Sequence, residues 1–133
     1  IHENPRGAGS ISSVEYIFNH ENTENDDGSA MDSFIESADF DLGDGNEFLF
    51  VNKIIPDIVV TGTDAQVGYV IKTRPFPGDS LVTEASATVT ATTTQADVRC
   101  RGRSATLRIE SSKTDTAWTL GDTRLNVRAD GRR

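Results

Sequence analysis

The chain contains little of what usually marks a secreted scaffold or a membrane protein. Its 133 residues include one cysteine, one tryptophan and one methionine. Because Cys100 is alone, an internal disulfide and the disulfide-rich class of small secreted domains are excluded. We expect Cys100 to be a small strand residue that faces the core. The alternative is a thiol made more acidic by Arg99 and Arg101. No apolar run reaches 18 residues, so we predict no membrane span.

Motifs of catalysis and cofactor binding are also absent. There is no Gly-x-Ser-x-Gly elbow, phosphate-binding loop or dinucleotide fingerprint. His2 and His20, the two histidines, have no partner at metal-ligand spacing. The acidic loop around Gly28 fails the EF-hand pattern. With Gly28 at the invariant glycine position 6, Thr23 falls on ligand position 1 and Phe34 on ligand position 12. A solvated loop and an irregular cation site remain as interpretations. We predict no enzyme activity, no cofactor and no metal site.

Basic side chains are scarce before residue 99. The first 98 residues carry four basic and seventeen acidic side chains, whereas residues 99–133 carry nine basic and four acidic ones. A net charge of −8 is therefore divided into a strongly acidic part and a basic part. This division predicts self-complementary packing with other copies or with a partner. The overall acidity argues against nucleic acid as the main ligand.

Short alternating segments predict an all-β fold, an antiparallel sandwich or barrel of about seven to eight short strands without substantial helix. Residues 1–13 are expected to be a flexible lead-in, and 14–133 to be a single β-domain. The chain has no initiator Met, so we expect it to be a fragment of a longer protein. The predicted strands are 14–18, 34–42, 47–55, 58–61, 67–73, 82–94, 98–110, 117–120 and 125–128.

The most hydrophobic segment is 47–55. Its alternation predicts a strand that is covered on both sides and that ends at Pro56. The turn before it, Gly43–Asn46, is a hairpin signal. The two predicted faces of this strand are Phe48, Phe50 and Ile54 on one side, and Leu49, Val51 and Ile55 on the other.

Arginines of the last third recur at strand spacing. Arginine binds carboxylates through two parallel hydrogen bonds, and the acidic surplus lies in the same chain. Ordinary solvation and contact with a phosphate backbone are the alternatives. The residues that we predict for contacts between subunits are Arg99, Arg101, Arg103, Arg108, Arg124, Arg128, Asp39 and Asp41.

Three further positions have competing interpretations. Asp39 and Asp41 share one face of a predicted strand, about 7 Å apart, a spacing that inverting glycosidases use. A solvent-facing strand edge accounts for them equally well. Phe76, between two prolines, is the candidate for a ligand-contact loop. Trp118 is expected to anchor the core beneath the last hairpin.

Three segments together resemble a known protein family. They are 34–58, 101–112 and 117–133, and the last, AWTLGDTRLNVRADGRR, is the most specific. They are similar to the C-terminal part of a structural protein of short-tailed bacteriophages, of the tail nozzle or tail tube type. The resemblance covers about three quarters of the chain, and residues 61–97 match only in character.

This resemblance implies a virion protein without enzymatic activity that assembles as a ring around the DNA-delivery channel. The implied partners are copies of itself and neighbouring tail proteins, with passing contact with phage DNA, and the implied location is the phage tail. Alternative functions are a receptor- or glycan-binding module at a virion tip, and a capsid decoration or adaptor domain.

Overall fold

In the computed structural model, residues 6–19 and 23–132 are described. Their regular structure is almost entirely strand, apart from one 3-10 turn at Gly43–Gly45. The strands are β1 Arg6–Ile11, β2 Val14–Asn19, β3 Asn25–Asp26, β4 Ser29–Ala30, β5 Ser33–Glu36, β6 Phe40–Asp41, β7 Leu49–Ile55, β8 Ile58–Thr61, β9 Val67–Arg74, β10 Val82–Val89, β11 Ala96–Gly102, β12 Ser104–Ser111, β13 Ala117–Leu120 and β14 Arg124–Ala129.

Two antiparallel sheets enclose the core. The larger sheet has the order β10–β9–β12–β5, with β6 also paired to β12, and the smaller sheet has the order β11–β7–β14. Side chains alternate between core and surface along β9, where Val67, Tyr69 and Ile71 are fully buried. They form one cluster with Leu49 and Val51 of the smaller sheet. The sheets therefore pack face to face, which confirms the predicted all-β antiparallel fold.

The chain passes from one sheet to the other at a single residue. β11 ends at Gly102 in the smaller sheet, and β12 begins at Ser104 in the larger one. Arg103 between them donates its backbone N–H to the carbonyl of Arg74 over 2.9 Å. A Cβ on Gly102 would lie 2.5 Å from Cβ of Thr73, so only glycine fits without a shift of its neighbours. The corner thus depends on a residue without a side chain.

The N-terminal arm, residues 6–19 and 23–32, forms no strand of the two main sheets. Strands β1 and β2 form a hairpin that pairs with no other described strand, and β3 pairs only with β4. The side-chain amide of Asn25 holds the arm to the sandwich. It donates to the Asp115 carboxylate over 2.5 Å and accepts the Asp115 backbone N–H over 2.7 Å.

Most predicted strands are found where the alternation placed them. The segments 14–18, 47–55, 58–61, 67–73 and 117–120 each correspond to one observed strand, and Pro56 follows the end of β7. Within the predicted lead-in, Arg6–Ile11 forms β1. This strand was not predicted, because its mostly small residues show no apolar alternation. Fourteen strands are described rather than seven or eight, because several are two-residue pairs and because predicted segments are divided.

Two predicted strands are each divided. The segment 98–110 becomes β11 and β12 at the Gly102 corner. The segment 34–42 becomes β5 and β6, because its register with β12 is interrupted between Glu36 and Phe40. The strand 82–94 ends earlier than predicted, at Val89, where a turn begins.

Two predicted hairpins are wrong. Gly43–Asn46 does turn, but it connects β6 of the larger sheet to β7 of the smaller sheet. β13 likewise pairs with β8, and β14 pairs with β7, so they form no hairpin with each other. In both cases, consecutive strands are neighbours along the chain but belong to different sheets.

The predicted faces of β7 are wrong at its last two positions: Ile55, expected on the side of Leu49 and Val51, is 42% exposed on the other side. Asn52 has no partner in the register between β7 and either neighbour, since the pairing jumps from Val51 to Lys53 on both sides. This irregularity turns the strand by one residue. Ile54 is therefore fully buried on the same side as Leu49 and Val51, whereas it was expected beside Phe50.

Candidate functional site: a basic sheet face

The outer side of the smaller sheet gathers arginines from both ends of the basic region. Its inner side supplies core residues such as Val51, Val98 and Cys100, so the intervening residues point away from the core. Opposite residues on antiparallel strands project to the same side of a sheet. The outward rows across the sheet are Arg101–Phe50–Arg128, Asp97–Lys53–Asn126 and Ile55–Arg124. We call this surface, together with Arg99, the arginine face.

Charge on this face is almost all of one sign. Its cationic residues are Arg99, Arg101, Arg124, Arg128 and Lys53, and its one carboxylate is Asp97. Arg101 and Arg128 lie on either side of Phe50, two strand spacings or about 10 Å apart. An excess of cations within a patch of this size favours an anionic partner that neutralises them.

Aromatic rings lie beneath some of these arginines. The guanidinium of Arg128 lies 4.7 Å from the ring centroid of Phe50. Arg101 and Arg103 both stack near Phe48, at 4.1 and 4.7 Å, and Phe48 is 8% exposed. Such contacts hold the planar groups in place while their edges stay available for hydrogen bonds. β7 was predicted to be covered on both sides, and on its outer side arginine side chains provide part of that cover.

Arg101, at one end of the face, and Arg103, at the corner beside it, form contacts within the chain. Nε of Arg101 donates to the Asp130 carboxylate over 2.6 Å, and its terminal nitrogen donates to the Asp130 carbonyl over 2.9 Å. Arg103 donates to the carbonyls of Gly45 and Asn46 over 2.9 and 3.2 Å. Arg103 was predicted to share a strand face with Arg99 and Arg101, but it lies at the corner where that strand has ended.

Three predicted arginines remain available on the surface. Arg99, Arg124 and Arg128 are exposed, and within residues 6–19 and 23–132 none of them forms an ion pair. Arg128 keeps its ring contact with Phe50. Arg124 and Arg128 follow Arg99 by 25 and 29 residues in the sequence. Pairing of β11 and β14 with β7 brings them to the same sheet.

Arg108 lies on the larger sheet and belongs to another cluster. It pairs with the carboxylates of Glu110 and Glu36, and its guanidinium lies 3.7 Å from the ring centroid of Phe34. Lys72 donates to Glu36 over 2.7 Å. This hydrogen bond, with that from Arg108, lowers the pKa of Glu36, and the bond to Glu110 raises the pKa of Arg108. The charges here are balanced within the chain.

Asp39 and Asp41 line one open cavity of about 310 Å³, at the end of the larger sheet. Asp39 precedes β6 and pairs with Arg74 over 2.9 Å, and Asp41 lies within β6. Phe76, 57% exposed, follows Arg74 in the adjoining loop. Arg103 also lines this cavity, so it contains carboxylates and guanidinium groups together.

Cys100 and Trp118 behave as core residues. Cys100 is 3% exposed, and desolvation by burial raises the pKa of its thiol. The flanking arginines project from the opposite side of β11. The interpretation as a core residue is confirmed. Trp118 packs partly buried against the core, and its indole N–H donates to the Ser33 hydroxyl over 3.0 Å.

The described residues offer few further candidates. His2 and His20 lie outside them. No group of three or more His, Cys, Asp or Glu side chains suited to a metal ion occurs in residues 6–19 and 23–132. The same residues include no helix with the length and hydrophobicity needed to cross a membrane.

No protein-family model matches this chain, and no curated protein matches it significantly. The expectation of a phage tail protein therefore rests on the three sequence segments alone. The most specific of them, 117–133, supplies β13 and β14, and β14 is one edge of the arginine face.

Sequence reasoning found four of the five cations on this face but missed Lys53. Lys53 lies in the most hydrophobic segment, where it looks like an interruption of the apolar pattern. Its register opposite Asp97 and Asn126 places it at the centre of the face. A lysine within an otherwise apolar predicted strand was the signal in the sequence that could have indicated this surface position.

Proposed function

We propose that this protein is a non-enzymatic structural component of a virion, an oligomeric part of the tail of a short-tailed bacteriophage. It forms part of the wall of the DNA-delivery channel and assembles as a ring with copies of itself and with neighbouring tail proteins. The observation that carries the proposal is the arginine face. An exposed cationic surface on a chain of net charge −8 fits a module whose partners present carboxylates.

The resemblance in the last segment supports the same function. Two of its four arginines, Arg124 and Arg128, lie on the arginine face. A sheet surface with guanidinium groups suits a protein–protein contact, since these groups bind carboxylates in a planar, bidentate manner. Role and location on the tail follow from the resemblance.

The mass of the protein in solution across a salt series tests this proposal. We expect oligomers at low ionic strength that dissociate as salt screens the exposed charges. Immunogold labelling of intact phage particles with an antibody against the chain should mark the tail. A monomer at every salt and protein concentration, or labelling confined to the capsid, would contradict the proposal.

A second function, glycan recognition at a virion tip, is favoured by the loop that carries Phe76. An exposed aromatic ring beside a cavity with Asp39, Asp41 and Arg74 offers a stacking surface next to hydrogen-bonding groups. Glycan-array binding that is lost in Phe76→Ala but retained in the control Phe34→Ala would support this function. Phe34 is similarly exposed, at 61%, but lies on β5.

A further inference from the structure

The N-terminal arm has the opposite charge to the arginine face. Between Arg6 and Lys53 the sequence contains no lysine or arginine, but eleven acidic residues. The arm carries five of these in its described part: Glu15, Glu24, Asp26, Asp27 and Asp32. None of the five forms an ion pair with another described residue. Carboxylates and arginines without an ion-pair partner among the described residues thus occur in one chain, on different strands.

The arm also exposes apolar side chains. Ile11 and Val14 are each 51% exposed at the tip of the hairpin, and Ile17 is 77% exposed. A two-stranded hairpin by itself is at best marginally stable in water. β1 and β2 pair only with each other, so no third strand extends this hairpin among the described residues.

The arginine face offers matching apolar positions. Ile55, 42% exposed, lies opposite Arg124, and the half-buried Phe50 lies between Arg101 and Arg128. The arm presents apolar residues next to carboxylates, and the face presents apolar residues next to guanidinium groups. The two surfaces are therefore complementary in charge and in hydrophobic character.

We propose that the N-terminal arm of one copy docks on the arginine face of the next copy. This inference rests on the proposed function and specifies which surfaces form its oligomer. Because arm and face are different surfaces, the contact is head-to-tail, and such a contact closes into a ring or extends into a filament. Carboxylates of the arm then pair with Arg99, Arg124 and Arg128 of the neighbour.

Charge-swap mixing tests this contact on the full chain. An arm variant, Glu15→Lys, Glu24→Lys and Asp32→Lys, and a face variant, Arg99→Glu, Arg124→Glu and Arg128→Glu, are measured by analytical ultracentrifugation. Each alone should associate at least about tenfold more weakly than the unmodified chain, because it opposes like charges. An equimolar mixture should recover association, since each variant then meets an oppositely charged surface.

A matched control separates this contact from a general effect of net charge. Asp79→Lys, Glu84→Lys and Asp122→Lys make the same charge change at exposed positions outside the arm. This control should associate like the unmodified chain. Circular dichroism of every variant checks that the fold is retained, and recovery in the mixture shows that both variants are folded.

The outcomes distinguish the inference from the proposed function. If the unmodified chain associates and the arm variant associates equally well, the arm contact is wrong and the proposed oligomer stands. If the mixture fails to recover, or the control is weakened equally, the contact is also wrong. Binding of a duplex DNA probe that needs the arginine face, without an effect of the arm variant on association, assigns the face to phosphates instead. A chain that never associates overturns both proposals.

Discussion

The substitution Gly102→Ala should destabilise the protein through one atom. Its new Cβ would lie 2.5 Å from Cβ of Thr73, 3.0 Å from the Thr73 hydroxyl and 3.1 Å from the carbonyl oxygen of Ser104. Carbon atoms in contact lie about 3.5–4.0 Å apart, so Thr73 would have to retreat by about 1 Å. Thr73 is 2% exposed and belongs to β9, which is paired on both sides.

The expected loss follows from two opposing terms. Overpacking a rigid core costs about 1–3 kcal/mol, and alanine returns about 0.4–1 kcal/mol by restricting the unfolded chain. We therefore expect Gly102→Ala to lower the free energy of unfolding by about 1–2 kcal/mol. Urea denaturation followed by tryptophan fluorescence measures this loss, and the slope m should be unchanged.

Gly68→Ala provides a matched control in a neighbouring strand. A Cβ there would lie 3.6 Å from the carbonyl oxygen of Glu110, an ordinary contact. This variant should be as stable as the unmodified protein or more stable by up to about 1 kcal/mol. Equal stability of the two variants, within about 0.5 kcal/mol, would refute the reasoning about the close approach at Gly102.

Three further predictions concern groups near the arginines. Phe48→Leu should lower the free energy of unfolding by about 1–3 kcal/mol, because Arg101 and Arg103 stack on the ring of Phe48. Urea denaturation measures this loss, and a change below about 0.5 kcal/mol would contradict the prediction. The pKa of Glu36 is lowered by its hydrogen bond from Lys72. Glu36 therefore stabilises the fold above its unfolded-state pKa of about 4.3, and this stabilisation is lost as the pH falls through its folded-state pKa. Glu36→Gln should therefore lower the midpoint of thermal unfolding at pH 7 and make it less dependent on pH below about 5; an unaltered acid dependence would count against the pair. Cys100, whose thiol pKa burial raises, should react with iodoacetamide at pH 8 at least about 100-fold more slowly in the native protein than in urea, and equal rates would place it on the surface.

The alternation of side chains predicted the strands but not how they are arranged. β9 has a clear period of two because one side faces the core along its whole length, and its bounds were predicted nearly to the residue. The division at Gly102 was not predicted, because Arg99, Arg101 and Arg103 alternate through the corner, although the apolar positions change phase there, from Cys100 to Ala105. The displaced face of Ile54 was not predicted either, since an irregularity at Asn52 depends on two neighbouring strands rather than on local sequence.

The candidate site shows the same difference. Spacing alone placed Arg99 and Arg101 on one side of a strand, and Arg124 and Arg128 on one side of another. That these sides coincide follows from the insertion of β7 between β11 and β14, which is a long-range pairing. Arg103 does not lie on the arginine face, because the corner at Gly102 ends β11 before it.

The single-residue link between the sheets has a mechanical consequence. A partner bound at Arg99 that pulls along β11 would transmit its force through the backbone of Arg103 directly into β12. β12 is hydrogen-bonded on both sides, to β9 and to β5. Tension on the surface is thus resisted by two ladders that must shear together.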